Sequence, residues 1–446
     1  MTLAGPSAAL EGLRGAVRGP VRLPGDPDFD DVRRPWNLSV EQDVAAVVSA
    51  ADAADVAELV RYAARVGVGV SPQPIGHGAT GAAAGTVLLR TGQLDRIDVD
   101  PVARTARIGA GVRSGDLQRA VAEHGLTALP GSSPEVSVAG VALGGGLSWF
   151  GRAFGWVSDG VTALDVVDAD GAARTVSPES DPDLFWALRG GGGDYAVVTG
   201  LELTLHAAPS VVGGRVLWEG RHARRVAEAY RALTADAPRE LTVWLELMRF
   251  PWSDPMVALD VTFLGTEEDA REAMALLDHL PQPLADSRRP MSVAELGTIT
   301  DEPTEPAPGM SRGEVLTRID DDVVSALVAD PGPLNLVQVR HLGGALAEPS
   351  DSPHGPLEEP HLLYLLGVPA SPDSAGAIAT AQQELARALP SNGRKPVTFL
   401  GPGEHLGQAL PAASLDRLRR IKTERDPRRV LRSSASVLDI PHDAAP

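Results

Sequence analysis

One histidine stands apart. In SPQPIGHGATGAAAG, residues 71–85, His77 lies between two glycines and is followed by small residues. Glycine lets main chain or a planar ring come close, and imidazole can bond to or react with what arrives. The stretch marks a place where something approaches His77. A second cluster lies in LTVWLELMRF, residues 241–250. Strand alternation puts Leu241, Val243, Leu245 and Leu247 on one face and Thr242, Trp244, Glu246 and Met248 on the other. The first face suits packing on helices. The second suits a pocket wall with Glu246 as a candidate base, the alternative being a Glu246 at solvent on an edge strand. In LNLVQVRHLGG, Gln338 and Arg340 share one face while Asn335 and His341 share the other. Either pair could meet a polar substrate, or serve structure alone.

Composition removes several chemistries. The 446 residues include no cysteine, so disulfides, zinc thiolate sites and thiol nucleophiles are excluded, and no metal site is expected. The net charge of −19 argues against a nucleic-acid partner. The apolar runs fall short of the roughly 20 residues a membrane helix needs. The start, MTLAGPSAALEGLRGAVRGP, lacks a basic stretch followed by a compact apolar core. No signal peptide is read there, and a cytoplasmic protein is expected.

The elements that must position these residues form an α+β pattern, without regular βαβ alternation. VAAVVSA, GVGVSPQP, TVLLR, RIDVD and TARIGAG are predicted strands. DAADVAELVRYAARV is a predicted helix capped by Asp52 or Asp55 and ended by Gly67, and SGDLQRAVAEHGL is another. VTALDVVDADGAARTV is a hairpin turning at Asp170-Gly171. From about Val211 the texture changes, with strands over RVLWEG, LTVWLELM, MVALDVTFLG and LNLVQVRHL. HARRVAEAYRALTADA and TEEDAREAMALLDHL are predicted helices. That grouping suggests one antiparallel sheet with helices on one face. The tail PAASLDRLRRIKTER is a helix stopped by Asp426-Pro427.

Glycine tracts punctuate the first half at 76–85, 109–115, 131–151 and 190–200. Glycine-rich turns can present main-chain amides to phosphate oxygens. Any one tract is explained by turn geometry; four of them suit a cofactor with a diphosphate and a flat ring. Rossmann and P-loop signatures are missing.

The run from PIGHGATG through GSSPEVSVAGVALGGGLSWFGRAFG to DPDLFWALRGGGGDYAVVTGLELTL resembles the FAD-binding domain of the vanillyl-alcohol oxidase / p-cresol methylhydroxylase (PCMH-type) superfamily, within it the berberine-bridge-enzyme-like oxidases. The resemblance is strong over about 40–209 and weaker over about 395–440. It implies an FAD domain of two α+β subdomains (1–209), a substrate domain with an antiparallel sheet backed by helices (210–394), and a closing segment that returns to the flavin (395–446). It implies that His77 carries the flavin through its 8α-methyl group, the alternative being a histidine that only hydrogen-bonds. Relatives often add a cysteine tether; here that position is Ser133, so a single tether is expected. By position, Gly76, Gly78, Thr80, Pro130, Gly131, Ser132, Val138, Ala139, Gly140, Gly144, Gly145, Tyr195 and Val198 would contact FAD. Trp244, Met248, Gln338 and Arg340 are the expected substrate contacts. A catalytic tyrosine, frequent in relatives near VTFLGPGEHLG, is absent from that stretch, where Phe399 stands.

The resemblance implies an FAD-dependent oxidase that takes hydride from a small-to-medium organic molecule, such as a sugar, alcohol or secondary metabolite, with O2 as acceptor. The alternative is a non-redox cyclase or isomerase that keeps the flavin as scaffold. The substrate's identity and the oligomeric state are not encoded in these motifs.

Overall fold

The computed structural model of the chain describes residues 10–439; the outer ends of the first and last segments lie outside them. The first half holds two sheets of four and five strands, besides a two-stranded pair of Leu126–Thr127 with His206–Ala207. One has four strands, in the order Val21–Arg22, Ala46–Ser49, Val87–Arg90, Val70–Pro72, with its last three strands parallel. The helix Ala53–Val66 covers it. Asp52 caps the helix by accepting from the amides of Ala54 and Asp55, and Gly67 ends it in the left-handed region at φ 79°. Of the two candidate caps, Asp55 instead turns back and accepts from the amides of Gly19 and Ala51 at 2.8 and 3.0 Å. Val56, Leu59, Val60 and Ala63 are buried against the valines of the sheet, as expected of an amphipathic helix on a sheet.

The second sheet has five antiparallel strands: Ile97–Asp100, Thr105–Gly109, Val197–Thr204, Val161–Val167 and Ala173–Val176. Its last pair is a hairpin in which the Asp168 carboxylate accepts from the amides of Asp170 and Ala172, and Gly171 takes φ 77°.

The second half is one large antiparallel sheet. Its order is Ala285–Asp286, Val211–Glu219, Met256–Leu264, Leu241–Met248, Leu336–His341, His361–Gly367 and Met310–Leu316, with Arg289–Pro290 also on Val211–Glu219. One face carries Val243, Leu245, Leu259, Val261, Val337, Val339, Leu363 and Leu365. It packs on Val226 and Tyr230 of the helix Ala223–Ala235, on Val324 of Asp321–Leu327 and on Ile378 of Pro372–Ala388. The opposite face turns toward the first half.

Two differences from the sequence patterns have physical causes. TEEDAREAMALLDHL is not one helix: the α-helix Glu267–Ala273 ends at Met274, and Ala275–His279 continues as a tighter 3₁₀ turn. Pro281 follows, and a helix commonly tightens before such a stop. Met310–Leu316, Asp321–Leu327, His361–Gly367 and Pro372–Ala388 are additional elements. The first has Gly313 at mid-strand, a residue that weakens a strand signal, because a Cβ there would lie 2.8 Å from Phe399.

The last segment divides between the halves. Lys395 is fully buried and pairs with Glu314 of the large sheet and with Glu404. Farther on, Lys422 donates to the carbonyls of Asp194 and Leu431 at 2.6 and 2.8 Å, and Val70 exchanges main-chain bonds with Val430 and Arg432.

Candidate flavin site and the facing sheet

His77 sits in the loop after the strand Val70–Pro72. Gly76 is in the left-handed region at φ 100°, and a Cβ there would lie 2.8 Å from both Pro35 and the Gln73 side chain. Only glycine allows so close an approach. The approach brings Trp36 over His77. The Trp36 amide donates to the Ile75 carbonyl at 3.1 Å, and the indole stacks on the imidazole with centroids 4.3 Å apart and planes 16° apart. His77 Nε2 is buried and has no hydrogen-bond partner. Burial first, and Arg113 second, lower the imidazole pKa from 6.5 to about 4, so it is neutral near pH 7. Thr80 donates its hydroxyl to the Ser434 carbonyl at 2.6 Å, tying this loop to the returning C-terminal segment.

The second glycine region follows. Ser133 is buried and accepts from the Glu135 amide at 3.3 Å, a turn-forming bond. The Pro130 carbonyl accepts from Trp149 at 3.0 Å. Ser137 caps the short helix Val138–Leu143 by accepting from Gly140 at 3.1 Å, with Val138 and Ala139 buried in the core.

An orphaned, buried ring nitrogen is an observation that fits an FAD attached at His77. The glycines divide in the same test. In front of Gly78 nothing stands within 4 Å, and in front of Gly131 only the Leu147 carbonyl does, at 3.9 Å. Gly140 meets only its own cap, Ser137, at 3.7 Å or more. These three leave room for a ligand. Gly144 and Gly145 are filled by protein instead: Thr398 at 2.7 Å, and His354 and Trp156 at 3.1 and 3.2 Å. Tyr195 and Val198 turn their side chains into the core, where the Tyr195 hydroxyl donates to Gly191 at 3.2 Å. That leaves contact with a cofactor to their main chain.

The face of the large sheet that packs on Trp149 of the first half is polar and buried. Register sets it. Arg215 pairs with Asp260, Asp260 with Trp244, and Trp244 with Arg340, while Glu246 pairs with Gln338 and Gln338 with Tyr364. Directly opposed residues share a face. Arg215 donates to Asp260 at 2.6 and 2.8 Å and to Glu246 at 2.6 Å. Gln338 Nε2 donates to Glu246 at 2.5 Å, and Arg340 Nε donates to Gln338 Oε1 at 2.5 Å. The Arg340 guanidinium lies 4.0 Å from the Trp244 ring centre, 5.4 Å from that of Tyr364 and 5.5 Å from that of Phe399. Trp244 stacks on Trp149 of the first half at 3.6 Å. Met248 ends this strand, buried and paired with Leu336.

Glu246 is thus neither at solvent nor free. It is 4 % exposed, and Arg215 and Gln338 take one oxygen each. Burial first, then the neighbouring Asp260 charge, raise its pKa well above the ordinary carboxylate range.

Two groups that sequence patterns did not single out complete the site. Glu302, in the loop DEPTEPAPG, hydrogen-bonds Ser132 and accepts from Thr300 at 3.5 Å, and the Arg340 charge acts to lower its pKa. Burial is the main cause of its raised pKa. It makes no ion pair among the described residues. Tyr364, from the strand His361–Gly367, stands edge-on to Phe399 at 6.0 Å. A tyrosine therefore does reach this face, from a strand rather than from the C-terminal stretch.

Comparison with known proteins agrees with this geometry. A family model described as an FAD binding domain matches residues 44–177. The chain is 32% identical over 305 residues to (R)-6-hydroxynicotine oxidase of Paenarthrobacter nicotinovorans, covering 66% of each chain. It is 30% identical over 207 residues to xylooligosaccharide oxidase of Thermothelomyces thermophilus, covering 45% of this chain and 42% of that one. The matched stretches therefore span less than two thirds of these relatives. Among solved structures, the Physcomitrella patens BBE-like 1 protein superposes with a TM-score of 0.87 at 19% identity, over 98% of this chain and 100% of that one. The 6-hydroxy-D-nicotine oxidase of Arthrobacter nicotinovorans superposes with a TM-score of 0.80 at 24% identity, over 93% and 96%. The chain therefore carries an FAD-binding domain at residues 44–177 and shares its fold with the Physcomitrella patens BBE-like 1 protein and the 6-hydroxy-D-nicotine oxidase.

Proposed function

We propose that the protein is an FAD-dependent oxidase whose flavin is held by one covalent bond, at His77, and which oxidises a small-to-medium organic molecule with O2 as acceptor. The observation that carries this reading is the neutral, unpartnered imidazole of His77, set in the FAD-binding domain. FAD supplies the hydride acceptor when bound.

The chain's own residues supply the rest. Gly78, Gly131 and Gly140 leave room for the cofactor, and His77 retains it. With Ser133 in place of a cysteine, no second bond forms. Arg340, held by Gln338, presents a guanidinium to a polar group of the substrate, while Trp244 and Met248 wall the pocket. Glu246 acts as a positioning residue, because both its oxygens are engaged in holding Gln338 and Arg215. The proton released from a substrate O–H or N–H goes to Glu302, the carboxylate on this face without an ion pair. Burial raises its pKa, which makes it a stronger base than an exposed carboxylate.

The test is direct. Purified protein is offered (R)-6-hydroxynicotine, xylobiose and a panel of simple alcohols and secondary amines, and hydrogen peroxide is measured. Peroxide from one class, lost in a flavin-free preparation, supports the reading. A purified chain that takes up no flavin contradicts it.

A further inference from the structure

We propose that Trp36 is the residue that positions His77 for its bond to the flavin. The inference rests on the covalent reading of His77 above and adds the device that would make the bond form.

A histidine that must present one ring nitrogen usually has its other nitrogen fixed by a hydrogen bond, which sets tautomer and ring orientation. His77 has no such bond among the described residues: none is made by Nδ1, and buried Nε2 is unpartnered. Its orientation has to come from somewhere else. The stacked indole of Trp36, at 4.3 Å and 16°, covers one face of the imidazole and fixes its plane.

Trp36 is itself held on both sides. Its amide donates to Ile75 at 3.1 Å, in the loop that carries His77. Its carbonyl accepts from Ala307 at 3.2 Å, and Leu38 donates to Ala307 at 3.1 Å, so the loop that carries Glu302 clamps the other edge. Pro35 fills the space that any side chain at position 76 would need. An exposed stacking partner would not require this much fixation.

The indole also excludes water. A bare tryptophan face would attract an imidazolium, yet desolvation wins and the ring stays neutral. The charged groups nearby are Arg113, which is paired with Glu135, and Arg90, which donates to the Gln73 and Ile75 carbonyls at 3.1 and 3.4 Å. Arg113 opposes a charge on His77, and no carboxylate ion-pairs with it among the described residues. Neutrality matters because the step needs a nitrogen lone pair. In net terms one C–H bond of the flavin 8-methyl group and one imidazole N–H bond are lost, and one C–N bond forms. The two hydrogens and two electrons pass to O2, which leaves as hydrogen peroxide.

The experiment compares wild type, His77→Ala, Trp36→Phe, Trp36→Leu and Trp36→Ala. Total flavin is measured on native protein, and attached flavin by fluorescence of the denatured band. Rates of attachment are followed after FAD is added to flavin-free protein between pH 5.5 and 8. The expected result is attachment in wild type and near-wild-type rates in Trp36→Phe, which keeps an aromatic face. Trp36→Leu and Trp36→Ala should bind FAD but attach it roughly 10-fold to 100-fold more slowly. Their rates should also fall below about pH 6.5, where an ordinary histidine protonates, while wild type stays flat. Trp36→Leu keeps apolar bulk, so it carries the test if the alanine variant does not fold. Wild-type rate and pH profile in Trp36→Leu, with flavin attached in wild type, would overturn the role of Trp36 alone. Release of all flavin from denatured wild type overturns the covalent reading and this inference with it.

Discussion

The surroundings of His77 and of Arg340 are built on opposite plans. The His77 loop is unfinished: a neutral ring, one orphaned nitrogen, glycines with open space, and a single aromatic wall. The facing sheet is nearly closed. Arg215, Glu246, Asp260, Gln338 and Arg340 form one chain of hydrogen bonds in which most donors and acceptors are used. An unsatisfied buried nitrogen costs stability unless something completes it, and the proposed bond to the flavin would complete this one. A buried polar network that satisfies itself sets shape and orientation. On the proposed reading, one region reacts with the cofactor and the other holds a substrate still.

The largest effect should come where the closed network has its one loose end. Glu302→Gln should slow flavin reduction by a substrate from the panel by ~10²–10⁴-fold, with flavin content unchanged. Glu246→Gln should have the smaller effect of the two, because its role is to hold Gln338. Stopped-flow traces at 450 nm or so compare them; an ordering with Glu246 dominant would return the proton-accepting role to that residue. Next comes the network's cation. Arg215→Met leaves Glu246 and Asp260 buried together without a counter-charge, and should cost about 3–5 kcal/mol in urea unfolding. A wild-type midpoint would show that the two carboxylates share a proton without help from Arg215.

The open region predicts a pH effect of definite sign. In flavin-free protein, His77 folds with its pKa lowered from 6.5 to about 4. The unfolded chain then binds more protons between these values. The stability due to neutral His77 is therefore full above about pH 6.5 and is lost as pH falls toward 4. Flavin-free His77→Ala should show a shallower loss over that window in thermal melts. The smallest effect is expected at Ser133. Its hydroxyl makes one 3.3 Å bond to Glu135, so Ser133→Ala should cost no more than about 1 kcal/mol and leave attached flavin unchanged.

The same contrast explains what was legible in the sequence. The open region is local: His77, its glycines and the 130–145 turn lie in short continuous stretches, so their residue types carry the signal. Alternation along residues 241–248 also gave the two faces of that strand. The partners of Glu246 were out of reach, because Arg215 and Asp260 meet it only through the register of three strands. Glu302 lies in a proline-rich loop with no periodicity, and Tyr364 lies on a continuously apolar strand that hides its facing. Trp36 sits in an irregular segment far along the chain from most of what it organises. Tyr195 shows the reverse case, a motif residue whose side chain serves the core.

The central claim is that His77 holds the flavin by a covalent bond, and denaturation tests it without knowledge of the substrate. Wild-type protein precipitated with acid should give a yellow pellet and a colourless supernatant, while His77→Ala gives a colourless pellet and a yellow supernatant. A wild-type supernatant that carries the flavin, or a His77→Ala pellet that keeps it, would contradict the account.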